Sequence, residues 1–421
     1  MASEYLNIPR TPPDTAFSLM ASFDADPHPN KVSLIAGAYR DENGKPWILP
    51  SVQKAKNILS KSPNHEYLGI AGSQPFLDLA AELIFGQTLR THRKEENNNN
   101  ESIASIQTVS GTGANHLAAV FLSRHLHPAR VFIPDPTWIN HRSIWEDAGV
   151  AVVEYPYYSS ETRDIDMERL LAALETTEEN DVIVLQACAH NPTGVDLSRD
   201  QWRDIGEVVF RKGLFVVFDS AYQGFATGDV EGDVWGVRYF AERVLAQHNP
   251  DTTAGSRKTT GLIVAQSFSK NFGLYGERVG ALHLVVPPSF STGGAKSALA
   301  AIARAEYSNP PRFGASIVET VLGDSELRVQ WEKDLETMSS RFRKMRGELR
   351  GRLEGETGMD WGFVERQIGM FSYTGLSGEQ AKRLREEFHV YLLPSGRMSV
   401  CGLNEGNVEY VANAVGMVLR G

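Results

Sequence analysis

Short runs rich in aliphatic and β-branched residues, at 106–109, 131–134, 182–185, 214–218 and 261–265, each lead into a polar or glycine-bearing turn. Most of these runs are apolar without alternation, the pattern of strands buried on both faces of a parallel sheet. Between 182–185 and 214–218 the period becomes helical over 198–211, with Ser198 placed to cap it, so this stretch predicts a βαβ unit. Helical spacing also predicts helices over 75–89, 117–126, 295–304 and 378–387, and one long helix over 315–353. A shorter strand at 32–36 and strand patterns at 368–375 and 390–400 lie toward the two chain ends. Pro9, Pro12, Pro13, Pro27 and Pro29 stand among polar residues, so 1–30 predicts an extended arm rather than a packed element. The segments 90–105, with consecutive asparagines at 97–100, and 247–260 predict solvated loops. No internal repeat interrupts this order. The expected class is α/β, with a large doubly wound, mostly parallel sheet.

Composition narrows the function. The chain has 421 residues, 42% hydrophobic and 22% charged, as in ordinary globular proteins. A net charge of -10 argues against nucleic acid or an anionic membrane as partner. No apolar run is long enough to span a bilayer, and Met1-Ala2-Ser3-Glu4-Tyr5 has neither a signal-peptide core nor transit-peptide character, so a cytoplasmic location is expected. Cys188 and Cys401 allow at most one disulfide and no metal cluster, and both are expected reduced and buried.

The candidate chemistry gathers around 267–280. Lys270 follows the 261–265 strand on a turn, between the hydroxyls of Ser267 and Ser269 and the positive fork of Arg278. A lysine among groups suited to phosphate suggests an aldehyde cofactor. Ser110-Gly111-Thr112-Gly113-Ala114, between a strand and a helix, forms an anion site, because free N–H groups and the helix dipole point to the same place. The dinucleotide fingerprint is not completed there, since position 116 is His. Trp138, Asn191, Asp219 and Tyr222 all follow predicted strands. Each residue taken singly has a plainer use: a solvated lysine, a core tryptophan, an Asx turn before Pro192, a cap at Asp219, a surface arginine at 397.

Together they read differently. Ser-Phe-Ser-Lys-Asn-Phe-Gly-Leu-Tyr-x-Glu-Arg-Val-Gly at 267–280 closely resembles the lysine motif of aspartate aminotransferases, which bind pyridoxal 5'-phosphate through that lysine. Further matches keep the family's order: Gly37-Ala38-Tyr39-Arg40, Tyr67-Leu68, Ser110 to Ala114, Pro136-Thr137-Trp138, Asn191-Pro192, Asp219 to Tyr222, and Tyr307-Ser308-Asn309-Pro310-Pro311. The resemblance runs from Gly37 to the C-terminal helix. It implies that Lys270 carries the cofactor and is the catalytic base, that Asp219 keeps the ring nitrogen protonated, and that Asn191 and Tyr222 bond the phenolic oxygen. It assigns the phosphate to Ser110, Gly111, Thr112, Ser267 and Arg278, with Tyr67 reaching it from the other subunit, and stacks Trp138 on the ring with His141 behind. Gly37, Trp138 and Asn191 then lie beside the substrate, Arg397 grips its α-carboxylate, and Arg304 crosses a homodimer interface to the distal carboxylate.

The same resemblance implies an arm at 1–14, a small α+β domain from both chain ends (15–47 and 330–421), and a large cofactor-binding domain at 48–329. Gly69 stands where the family motif has proline and Ile139 where the aspartate enzymes have glycine, which bears on substrate range. The expected activity moves an amino group between L-aspartate, or another amino acid, and 2-oxoglutarate. The alternatives are an aminotransferase of aromatic or specialised amino acids, another reaction of the same cofactor, or a non-catalytic protein that keeps the site; retention of Lys270 argues against the last.

Overall fold

Seven strands form the central sheet: β1 (Ile103–Val109), β2 (Arg130–Asp135), β3 (Ala151–Pro156), β4 (Val182–Gln186), β5 (Phe215–Ser220), β6 (Leu262–Ser267) and β7 (Val279–Val285). Their order is β1-β7-β6-β5-β4-β2-β3. The computed structural model describes residues 8, 10–86, 88, 102–247 and 260–420. Pairing is parallel from β6 through β5, β4 and β2 to β3, whereas β7 runs antiparallel to both β6 and β1.

Alternate residues of the middle strands feed separate cores. Ile183, Leu185, Val216, Phe218 and Val264 enter one apolar cluster, with Ile205 and Phe240 of flanking helices. Val184, Val217 and Ile263 enter another, with Leu117 and Ala118 of helix Ser110–His125. Both faces are therefore covered, which is why these strands read as unbroken apolar runs. Helix Arg199–Lys212 joins β4 to β5 and starts in a capping box, Ser198 with Gln201. This βαβ unit agrees with the sequence pattern.

The chain ends meet. Val32–Ser33 pairs in parallel with Val390–Tyr391, and Phe371–Tyr373 pairs antiparallel with Arg397–Ser399. Helix Ser325–Thr357 packs against the C-terminal helix Val408–Arg420 and buries Trp331, Phe342 and Met345. The architecture is thus α/β, a large mixed and mostly parallel sheet with a smaller α+β part built from both ends.

Three expectations change. The long helix over 315–353 is two helices, Arg312–Gly323 and Ser325–Thr357, because Asp324 leaves helical geometry and its carboxylate caps the second by accepting from the N–H groups of Glu326 and Leu327. The predicted arm over 1–30 contains a helix, Thr15–Ala25, capped by Asp14 and holding Leu19 buried against Ile35 and Tyr391. Its apolar residues Ala16, Leu19, Met20 and Phe23 carry helical spacing, a signal outweighed at sequence level by the flanking prolines. The predicted loop over 90–105 gives way to β1 from Ile103, and the rest of it, 90–101, lies outside the described residues, as does 248–259. Cys188 and Cys401 are both free and buried, as expected. No helix among the described residues is long and apolar enough to cross a membrane.

Candidate active site

The carboxyl ends of β2, β4, β5 and β6 and the start of helix Ser110–His125 converge on one cavity of about 720 Å³. This is where open α/β sheets place ligands. Gly37, Ser110, Gly111, Thr112, Trp138, Asn191, Asp219, Tyr222, Ser267, Lys270, Arg278 and Arg397 all line it, twelve of the predicted site residues.

At one end lies an anion cradle. The Ser110 hydroxyl sits 3.0 Å from that of Ser269 and 3.5 Å from that of Ser267. The N–H groups of the first turn of helix Ser110–His125 point the same way as its dipole. Arg278 is fixed at the rim by donating to the carbonyl of Tyr275 at 2.8 Å, and burial lowers its pKa. The cradle needs a glycine at 280, because a Cβ there would stand 2.5 Å from the carbonyl carbon of Ser110.

Asp219, at the end of β5, has His141 behind it: Nε2–H donates to Oδ2 at 3.0 Å. On the other side of the ring, Nδ1 lies 2.8 Å from the Thr137 hydroxyl, which holds the imidazole in place. Trp138 meets His141 edge-on, with ring centroids 5.3 Å apart. Lys270 makes no side-chain hydrogen bond among the described residues, and its amine stands 5.5 Å from the centre of the Tyr222 ring. Burial lowers the Lys270 pKa, Asp219 opposes that shift and Arg278 adds to it, so the neutral amine is favoured more than in water. Burial likewise raises the Tyr222 phenol, with the Asp219 charge adding to it.

Arg397 stands opposite. One guanidinium nitrogen donates to Asn191 Oδ1 at 3.3 Å and another to the carbonyl of Ile35 at 3.1 Å, while Phe371 lies 4.2 Å beneath. Its Nε is buried without a partner among the described residues. The guanidinium lines the cavity, and its fork of N–H donors suits a carboxylate.

Some participants were not among the residues the sequence pointed to. Gln186, the last residue of β4, donates to Thr137 at 3.2 Å and to the carbonyl of Asn191 at 3.0 Å, and accepts from the Asn191 N–H at 2.8 Å. It thereby joins the Asp219 relay to the Asn191 turn; its only sequence signal is a polar side chain ending an apolar strand. The Tyr275 hydroxyl accepts from the Tyr39 N–H at 2.9 Å and ties the lysine turn to the segment bearing Gly37. Asp14 and Phe17, from the helix not expected in the arm, also line the cavity. Tyr67 and Arg304 do not. Tyr67 is 87% exposed and Arg304 is exposed, bonded to the Ser308 hydroxyl. Asn309 donates to the carbonyl of Leu68, and Arg312 to those of Glu66 and Tyr67, so both predicted residues sit on one outer surface. Ile139 lies at the cavity rim, 72% exposed.

A lysine, an anion cradle and a backed carboxylate on one α/β sheet define a class of group-transfer enzyme, and comparison with known proteins agrees. The family model for aminotransferase class I and II matches residues 29–415, and the chain belongs to that family. The solved aspartate aminotransferase from Saccharomyces cerevisiae cytoplasm superposes with a TM-score of 0.92 at 42% identity, covering 100% of this chain and 99% of that one. An L-tyrosine:2-oxoglutarate aminotransferase of Aspergillus ustus is 44% identical over 96% of this chain and 76% of its own length. The aromatic-amino-acid aminotransferase of Burkholderia pseudomallei, solved covalently bound to pyridoxal phosphate, matches at 37% identity with a TM-score of 0.89, over 99% of this chain and 100% of that one.

Proposed function

We propose that this protein is a pyridoxal 5'-phosphate-dependent aminotransferase acting between L-aspartate and 2-oxoglutarate. The observation that carries the reading is a single cavity in which Lys270, the Asp219–His141 pair, the Ser110–Arg278 cradle and Arg397 face one another. The donor set fits the cofactor: serine hydroxyls, helix N–H groups and Arg278 for its phosphate, Trp138 for its ring face, Asp219 for its ring nitrogen, Asn191 and Tyr222 for its phenolic oxygen, and Lys270 for its aldehyde carbon. When bound, the cofactor supplies an electron sink for charge developing at the substrate Cα.

The chain's residues do the rest. Arg397 binds the α-carboxylate through the N–H groups of its terminal nitrogens, orienting the Cα proton toward Lys270. The Lys270 amine, kept less basic by burial, takes that proton and returns one on the other side of the transfer. Asp219 holds the proton at the ring nitrogen, with His141 fixing its carboxylate.

The distal carboxylate of aspartate needs a further cation. Arg304 is outside the cavity of its own chain, and so is Tyr67, which supports a homodimer in which each subunit supplies both to its partner's site. Replacement Arg304→Leu is expected to lower kcat/KM for aspartate about a hundredfold or more, with little change for phenylalanine, since a lost charge pair acts only on the dicarboxylate. Equal losses would make Arg304 structural. A coupled assay with L-aspartate and 2-oxoglutarate tests the activity itself. The cytoplasmic source of the yeast structure supports a cytoplasmic location.

A second reading, an aromatic amino donor, is favoured by one observation. Phe17 and Ile139, each 72% exposed, give the cavity an apolar rim. Replacement Ile139→Gly is expected to lower kcat/KM for phenylalanine about tenfold while leaving aspartate nearly unchanged, the size expected for a few apolar contacts. An unchanged ratio of the two would remove the rim from specificity.

A further inference from the structure

Arg346, on the inner face of helix Ser325–Thr357, is 2% exposed. Among the described residues no carboxylate pairs with it. Its guanidinium instead donates to four backbone carbonyls: Val364 at 2.9 Å, Ile368 at 3.4 Å, Gly369 at 3.1 Å and Phe371 at 2.5 Å. Its Nε has no partner among the described residues. A cation buried without a counter-ion is expensive, and apolar replacements of buried ions are often as stable, so its presence asks for a use beyond stability.

The carbonyls it holds belong to the segment that shapes the substrate end of the cavity. Ile368 donates its N–H to the carbonyl of Gly194 at 2.7 Å, within the turn that carries Asn191. Gly369, at φ 74°, fits against Ala189 so closely that a Cβ would come 2.5 Å from the Ala189 Cβ. The Phe371 ring lies under the Arg397 guanidinium, edge-on to Tyr222, and within 3.1 Å of where a Cβ on Gly37 would be. One guanidinium therefore sets the backbone of a segment that touches Arg397, the Asn191 turn, Tyr222 and Gly37, while the phosphate cradle and Lys270 lie on other elements.

We propose that Arg346 is a positioning residue for the α-carboxylate subsite, acting through the 364–371 backbone and Phe371 to hold Arg397 in its binding orientation. This rests on the reading of Arg397 as the carboxylate anchor. Because every amino acid and 2-oxo acid presents the same α-carboxylate, the effect is common to all substrates and falls on binding.

The test uses the holoenzyme and two variants, Arg346→Lys and Phe371→Leu, with succinate, the amine-free analogue of aspartate, titrated by calorimetry. Both variants are expected to raise the succinate Kd about tenfold, and to raise KM for aspartate, phenylalanine and 2-oxoglutarate by a similar factor, with kcat changed less than about twofold and the cofactor absorbance unaltered. Wild-type Kd and KM values, whatever happens to Tm, would overturn the proposal, as would a loss confined to kcat. If Arg346→Lys does not fold, Phe371→Leu decides alone. Arg397→Lys separates the two readings: no effect of that variant on succinate binding refutes the substrate anchor, whereas weakened binding there with wild-type behaviour at 346 and 371 refutes only the positioning role.

Discussion

Replacement Lys270→Ala is expected to cut the transamination rate on the order of 10⁴-fold, the upper range for loss of a positioned proton-transfer group. On the proposed reading two functions are lost together, the covalent hold on the cofactor and the base at the substrate Cα. The side chain is suited to both because it is buried, has no hydrogen-bonding partner among the described residues, and has its pKa lowered by that burial. Purified wild-type protein is expected to be yellow and to form a borohydride-stable lysine adduct at Lys270, which peptide mapping would locate. Labelling at any other lysine, or a Lys270→Ala protein with ordinary turnover, refutes the assignment.

Replacement Asp219→Ala is expected to lower the rate at least about a hundredfold, which corresponds to roughly 3 kcal/mol of transition-state stabilisation. The carboxylate is 9% exposed and its orientation is set by His141, itself 1% exposed and held by Thr137. Without that charge the cofactor ring nitrogen loses its proton and withdraws electrons poorly. The cradle at Ser110 and Arg278 is untouched, so cofactor is expected to remain bound, and its absorbance reports this separately from activity. Near-normal turnover with bound cofactor would exclude the role given to Asp219.

Much of the cavity lining was legible in the sequence because its residues follow strand ends. Asp219 is the last residue but one of β5, Asn191 and Trp138 stand on turns after β4 and β2, and Lys270 stands just beyond β6, each preceded by an apolar run that announces the strand. The Ser198 cap was legible for a local reason: Gln201 lies three residues on, and their reciprocal bonds need nothing from the rest of the chain. Asp324 carried the same kind of local signal, but the apolar spacing continued across it and masked the break between two helices.

What the sequence by itself determined is therefore local: the α/β class, the parallel core of the sheet, some of the helices, and the identities of the lysine, carboxylate, serines and arginines that face the cavity. Only the tertiary structure decided which of them meet. The antiparallel entry of β7 between β1 and β6, the placing of the first turn of Thr15–Ala25 at the cavity, and the bonds of Gln186 to both Thr137 and Asn191 depend on the folded arrangement of several segments. Arg346 is the clearest case, since an arginine on a charge-rich helix reads as solvated until four carbonyls from 364–371 close around it. Tyr67 and Arg304 show the converse: their motifs point to the site, yet a single folded chain leaves both on its outer surface. The physical reason is the same throughout. Periodicity and capping are set within a few residues, whereas burial and long-range hydrogen bonds are properties of surfaces that exist only once distant segments have packed.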